Sequence, residues 1–273
     1  MARDDYSTTA TLRPLLDDLA AEQSALDAVV APLPPEGWDT ATPAPGWAVR
    51  DQISHLTYFD EQVAVAAADA AAFEATRDAM LADPAGFDTS GGYAGLSSSE
   101  LLETWRAARA GVAAAFAGVD PKSRLPWYGP PMSARSALTA RLMECWAHGV
   151  DVTDALARAP SASDRLRHVA HLGVVTRGWS YAVRGSSAPD VPVLVRLVGP
   201  GGERWEWGGE PADDVVAGPA LDFCLVVTQR RPLDATALDV TGDAAREWMG
   251  IAQAFAGAPT ETTRDASQAS GDS

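Results

Sequence analysis

The segment Ser133–Ala157, SARSALTARLMECWAHGVDVTDALA, decides how this chain is read. It has no proline and a single glycine, and its apolar Leu138, Leu142, Cys145 and Leu156 recur at helical spacing, so it predicts a long helix opened by Ser133. Advancing about 100° per residue places Arg141, Glu144, His148, Asp151 and Ala155 on a second stripe beside the apolar one. Upstream, Leu12, Leu15, Leu16, Leu19, Leu26 and Val29 mark a first helix from Thr8 to about Val30, ended by Pro32 and Pro34-Pro35. A second helix is expected from Val49 to about Ala72, and a short one from Phe73 to Leu81. After a Gly/Ser-rich loop, Gly86 to Ser97, the run Ser98-Ser99-Glu100 opens a further long helix to about Ala117. A proline-rich loop, Asp120 to Pro131, then leads into Ser133. Four long helices predict an antiparallel bundle, an architecture that builds sites from side chains projecting inward.

Beyond the bundle the texture changes. A helix from Ala162 to Val183 is followed by a valine- and leucine-rich strand, Val191–Val198, a turn at Gly199–Gly202 and an alternating partner strand, Glu203–Trp207. A strand near Asp213–Val216 and helices at Pro219–Val227 and Asp243–Phe255 complete the reading. The fold class is therefore mainly α with α+β: an N-terminal antiparallel four-helix bundle over 8–160, a linker helix and smaller α+β domain over 161–256, and a polar tail, 257–273, expected to be disordered.

Composition narrows the function. Hydrophobic residues make up 47% and charged residues 21% of the 273, as in ordinary globular proteins. With 37 Asp and Glu against 21 Lys and Arg the net charge is −16, and no basic patch interrupts it, which disfavours nucleic acid and anionic membranes and points to small-molecule partners. The two cysteines, Cys145 and Cys224, lie in apolar runs and make no disulfide framework, and neither an export signal nor a spanning segment is evident; a cytoplasmic protein is expected.

Only four histidines occur. Glu144 and His148 stand one helical turn apart on one face, Asp151 follows at the next turn, and the second helix offers His55 among Ile53, Leu56 and Phe59. Two imidazoles and a carboxylate suit zinc, with a position left open for water or substrate, as in catalytic sites. The same residues also fit an ordinary helix-surface pair and a hydrogen-bonded core histidine, and spacing alone leaves both readings open. Trp47, Trp127 and Tyr128 would supply aromatic walls near such a site or simply pack in the core.

Two segments carry a resemblance. Pro45-Gly46-Trp47-Ala48-Val49-Arg50-Asp51-Gln52-Ile53-Ser54-His55-Leu56 and Arg141-Leu142-Met143-Glu144-Cys145-Trp146-Ala147-His148-Gly149-Val150-Asp151, in this order, resemble the DinB-like metal-binding bundle of the mycothiol-dependent maleylpyruvate isomerase family. The segment Asp222–Arg231 is similar to the C-terminal half of such two-domain proteins. The resemblance implies that His55, Glu144 and His148 bind a divalent metal, zinc first among the candidates. It also implies mycothiol or a similar thiol as cosubstrate and a small electrophile as its partner. The expected activity is that of a metal- and thiol-dependent isomerase or S-transferase, in which the thiolate adds to a double bond that then isomerises or displaces a leaving group. Asp151 is then expected to orient His148 or assist proton transfer, and Arg230, with Arg231 beside it, to clamp a carboxylate. The alternative is a non-catalytic, metal-containing ligand-binding module.

Overall fold

The computed structural model describes residues 11–83, 92–209, 213–257 and 259, which fall into two compact units, Met1–Ser161 and Ala162–Ser273. In the first unit α1 (Arg13–Val30), α2 (Val49–Ala68), α4 (Ser98–Ala115) and α5 (Ala134–Ala155) form the bundle, α2 packing on both α4 and α5, and α1 on α5. Local chemistry sets the ends. Pro14 sits in the first turn of α1, where its missing N–H costs nothing. Ser97 accepts from the Glu100 amide while the Glu100 carboxylate accepts from the Ser97 amide, a reciprocal cap that starts α4. Ser133 caps α5 through the Ser136 amide. The second helix, expected to about Ala72, ends at Ala68, and the short helix expected from Phe73 starts earlier: Asp69 leaves the helical conformation and caps α3 (Ala70–Ala82) by accepting from the Ala72 amide. The loop from Asp120 to Pro131 is closed by a two-residue ladder, β1 (Arg124–Leu125) with β2 (Met132–Ser133).

The core of this unit is Val30, Trp38, Val49, Ile53, Leu56, Leu101, Trp105, Cys145 and Val152. The stripe of α5 that carries Arg141 and Asp151 does not face solvent: both are buried, and α5 is enclosed on most sides. Arg141 Nε donates to Asp60 Oδ1 at 3.0 Å, and Gln23 Nε2 donates to Asp60 Oδ2 at 3.0 Å, so the buried carboxylate is matched at both oxygens.

In the second unit β3 (Val193–Val198), β4 (Arg204–Trp207), β5 (Asp214–Pro219) and β6 (Asp239–Thr241) form a mixed sheet ordered β4-β3-β5-β6. β3 pairs antiparallel with β4 and parallel with β5, and β5 pairs antiparallel with β6. The expected linker helix is broken at Thr176 into α6 (Leu166–Val175) and α7 (Arg177–Ala182); α8 (Ala220–Val227) packs on α6, and α9 (Asp243–Ile251) packs on β5. Gly242 before α9 adopts φ 87°, and a Cβ there would lie 2.3 Å from the Asp214 carboxylate, which itself accepts from the Ala245 amide to hold the start of α9. Both cysteines are free and buried. Among the described residues no helix is long and apolar enough to cross a membrane. The tail at 258 and 260–273, expected to be disordered, and the first half of the loop from Gly86, residues 86–91, lie outside the described residues.

Candidate metal centre

α2 and α5 pack face to face, and their contact brings His55 beside Glu144 and His148. Glu144 Oε2 lies 3.1 Å from His148 Nε2 and 3.5 Å from His55 Nε2, and the imidazole centroids are 4.4 Å apart. One donor atom from each of the three residues lies within 4.8 Å of the others. Donors held about 2.0–2.2 Å from one tetrahedral zinc lie roughly 3.3–3.6 Å from each other, so the spacing fits a single ion with little movement. The side chains of His55, Glu144 and His148 keep 17%, 24% and 13% of their surface accessible, so the cluster is only partly buried.

Electrostatics favours the ligating forms. Burial, reinforced by the neighbouring His148, pushes the His55 pKa down to about 4, so its imidazole is neutral at pH 7. Burial works to raise the Glu144 pKa, but hydrogen bonds from His148 and His55 outweigh it and hold the carboxyl well below the usual carboxylate range. A neutral imidazole and an ionised carboxylate are what a divalent cation requires.

Aromatic rings wall the cluster. Trp47 stacks on His148 with centroids 5.9 Å apart and planes 15° from parallel, and it lies 5.2 Å from His55. Phe59, one turn along α2, packs 4.7 Å from the His55 ring. Trp127 and Tyr128 pack on Phe59 and on Phe73, so they buttress the inner wall. The Pro45-Gly46 turn explains how Trp47 reaches its place: Gly46 takes φ 77°, and the reversal is closed by Thr42 N–H donating to the Trp47 carbonyl at 2.8 Å.

A model of the mycothiol maleylpyruvate isomerase N-terminal domain matches residues 19–153, the stretch that carries every residue of the cluster. The chain belongs to this family. Two uncharacterized proteins of Mycobacterium tuberculosis, MT0041 of strain CDC 1551 / Oshkosh and Rv0036c of strain ATCC 25618 / H37Rv, are each 46% identical to it over 248 residues, 90% of this chain and 96% of theirs. Crystal structures of the mycothiol-dependent maleylpyruvate isomerase and of a histidine-to-alanine mutant of it superpose with TM-scores of 0.54 and 0.52. Identity to them is 16% and 14%, with 86% of this chain and 93% of theirs covered, so the fold is shared across both units.

In this member of the mycothiol maleylpyruvate isomerase family, the three expected ligands converge, but the neighbours of His148 differ from the sequence expectation. Asp151 is fully buried beneath His148, and its Oδ2 is 3.8 Å from His148 Nδ1, beyond hydrogen-bond reach. The acceptor at Nδ1 is the side-chain oxygen of Gln52, at 2.5 Å. Sequence reasoning passed over Gln52, which lies one helical turn before His55; its i, i+3 placement on the same face was the available signal. Arg230 belongs to the C-terminal unit, just past α8, where its Nη1 donates to the Thr228 carbonyl at 2.6 Å. Of the other histidines, His171 accepts from Trp207 Nε1 within the second unit.

Proposed function

We propose that the chain is a divalent-metal-dependent enzyme that activates mycothiol or a similar low-molecular-weight thiol. The thiol would then be transferred to a small electrophile, or used to isomerise one. The observation that carries this reading is the three-donor cluster of His55, Glu144 and His148, only partly buried and set under an aromatic wall. Family membership of residues 19–153 supports the choice of thiol. Two imidazoles and a carboxylate favour zinc. When bound, such an ion supplies the positive charge that keeps a thiol deprotonated at neutral pH.

The chain's own residues do the rest. His55 and His148 offer neutral nitrogen donors, and Glu144 brings the single negative charge that leaves the centre electrophilic. Trp47 and Phe59 keep bulk water off the imidazoles, which strengthens every electrostatic interaction at the cluster. Asp151, buried with its Oδ2 3.8 Å from His148 Nδ1, would help to hold the orientation of that ring. No side chain of the cluster is a nucleophile, so the bond to the electrophile is made and broken by the added thiol, and an isomerisation returns that thiol unchanged. For a carboxylate on the electrophile we propose Arg230 as the pairing group, on its side-chain chemistry alone.

Calorimetry with mycothiol on zinc-loaded and metal-free protein tests the reading. The expected outcome is about one thiol bound per chain to the zinc form and none to the metal-free form. Zinc uptake without thiol binding would leave a metal-containing binding module and reject the enzyme mechanism.

A further inference from the structure

The hydrogen bonds around His148 have a direction that can be read from one fixed point. The Trp47 backbone oxygen can only accept. Thr42 Oγ1 lies 2.9 Å from it and donates to it, which commits the hydroxyl hydrogen. The same Oγ1 lies 2.8 Å from the Gln52 amide and can only accept there, so Gln52 must turn its NH2 toward Thr42. The Gln52 carbonyl oxygen is thereby aimed at His148 Nδ1. Gln52 is fully buried, so its amide has no water with which to exchange these partners. An acceptor fixed at Nδ1 demands a proton there, which leaves Nε2, the atom facing Glu144, as the ring nitrogen that can give a lone pair to a cation.

We propose that Gln52, locked in orientation by Thr42, is the positioning residue that holds the proton of His148 on Nδ1 and reserves Nε2 for a divalent cation. The proposal rests on the metal reading of the cluster and adds to it the device that prepares one ligand in advance. His55 offers the contrast, because its Nδ1 is buried with no hydrogen-bond partner among the described residues. The same loop therefore acts on His148 twice: Trp47 stacks on the ring, and Thr42, three residues beyond the short helical segment Pro35–Asp39, orders its proton through Gln52.

The test compares wild type with Gln52→Leu, Gln52→Glu and Thr42→Val. Zinc affinity is read by competition with a chromogenic chelator, and the His148 ring protons by long-range proton–nitrogen NMR on metal-free and zinc-loaded samples. Wild type is expected to show a protected Nδ1 proton in both states. Gln52→Leu should lose that protection and bind zinc about 10–100-fold more weakly, as removal of an outer hydrogen-bond partner does elsewhere, while Gln52→Glu, which keeps an acceptor, should restore most of the affinity. Thr42→Val frees the amide to turn its NH2 toward Nδ1, so the metal-free ring should shift toward the Nε2-protonated form, an effect that a merely structural residue would not produce. It also provides the test should Gln52→Leu fail to fold. A bare Nδ1 in wild type, or zinc affinity equal in wild type, Gln52→Leu and Thr42→Val, would overturn the proposal alone. A wild type with the Nδ1 proton in place that takes up no zinc would instead reject the metal reading, and with it the purpose given to Gln52.

Discussion

His148→Ala takes the zinc content of the purified protein from about one equivalent to near none, and with it the stabilisation that zinc confers. The variant removes one of three donors, and the remaining pair, His55 and Glu144, is too few to hold a divalent ion against water. If zinc binds only the folded chain, as proposed, its contribution to stability follows mass action, about 2.7 kcal/mol at a free concentration one hundred times the dissociation constant. Wild type should therefore melt later when zinc is added, and His148→Ala should not respond. Glu144→Gln is the companion variant: it keeps the size of the side chain but removes the anionic donor, and it should also fail to retain zinc. Elemental analysis and thermal unfolding with and without zinc check both. A full equivalent of zinc retained in His148→Ala would remove that residue from the site.

The second large effect lies deeper in the bundle. Arg141→Met strips the guanidinium from Asp60, whose side chain is 2% exposed and keeps the Gln23 amide at its other oxygen. An unpaired carboxylate at that depth is expected to cost about 3–5 kcal/mol, read as the shift of the first unit's unfolding transition in urea. The cost belongs to the orphaned charge and not to the pair, so Arg141→Met combined with Asp60→Leu should recover most of the loss. Burial decides the size: Arg13 and Asp17 form a comparable pair at 2.9 Å, but their side chains are 79% and 59% exposed, and breaking it should change little. A loss from Arg141→Met no larger than that from the surface pair would mean that Asp60 is neutral or hydrated.

What could be read from sequence follows from how local each signal is. The bundle helices announce themselves through periodic leucines, Pro32, the Ser97–Glu100 cap and Ser133, all within a few residues of the ends that they set. The break between α2 and α3 has no glycine or proline to mark it; an alanine-rich run continues on both sides, and one carboxylate, Asp69, capping the Ala72 amide makes the difference. β6 is three residues long with both ends exposed, so it has no apolar alternation to detect. The burial of Arg141 on the polar stripe of α5 had no local signal, because its partner, Asp60, lies 81 positions away. The clustered residues were readable from Glu144 and His148 at one turn and from His55 on the second helix, and the resemblance joined the three as candidate ligands. Gln52 was not, because an uncharged amide gains its role only when α2 and α5 meet.

Cobalt(II) substitution followed by mycothiol titration in the visible and near-ultraviolet tests the central claim most directly, since it reports the ion's donors and the incoming sulfur together. The account predicts a four-coordinate cobalt spectrum in wild type, absent from His148→Ala, and a new sulfur-to-cobalt charge-transfer band that saturates at about one thiol per chain. A cobalt spectrum that does not change when the thiol is added, or a wild type that takes up no cobalt at all, would contradict it.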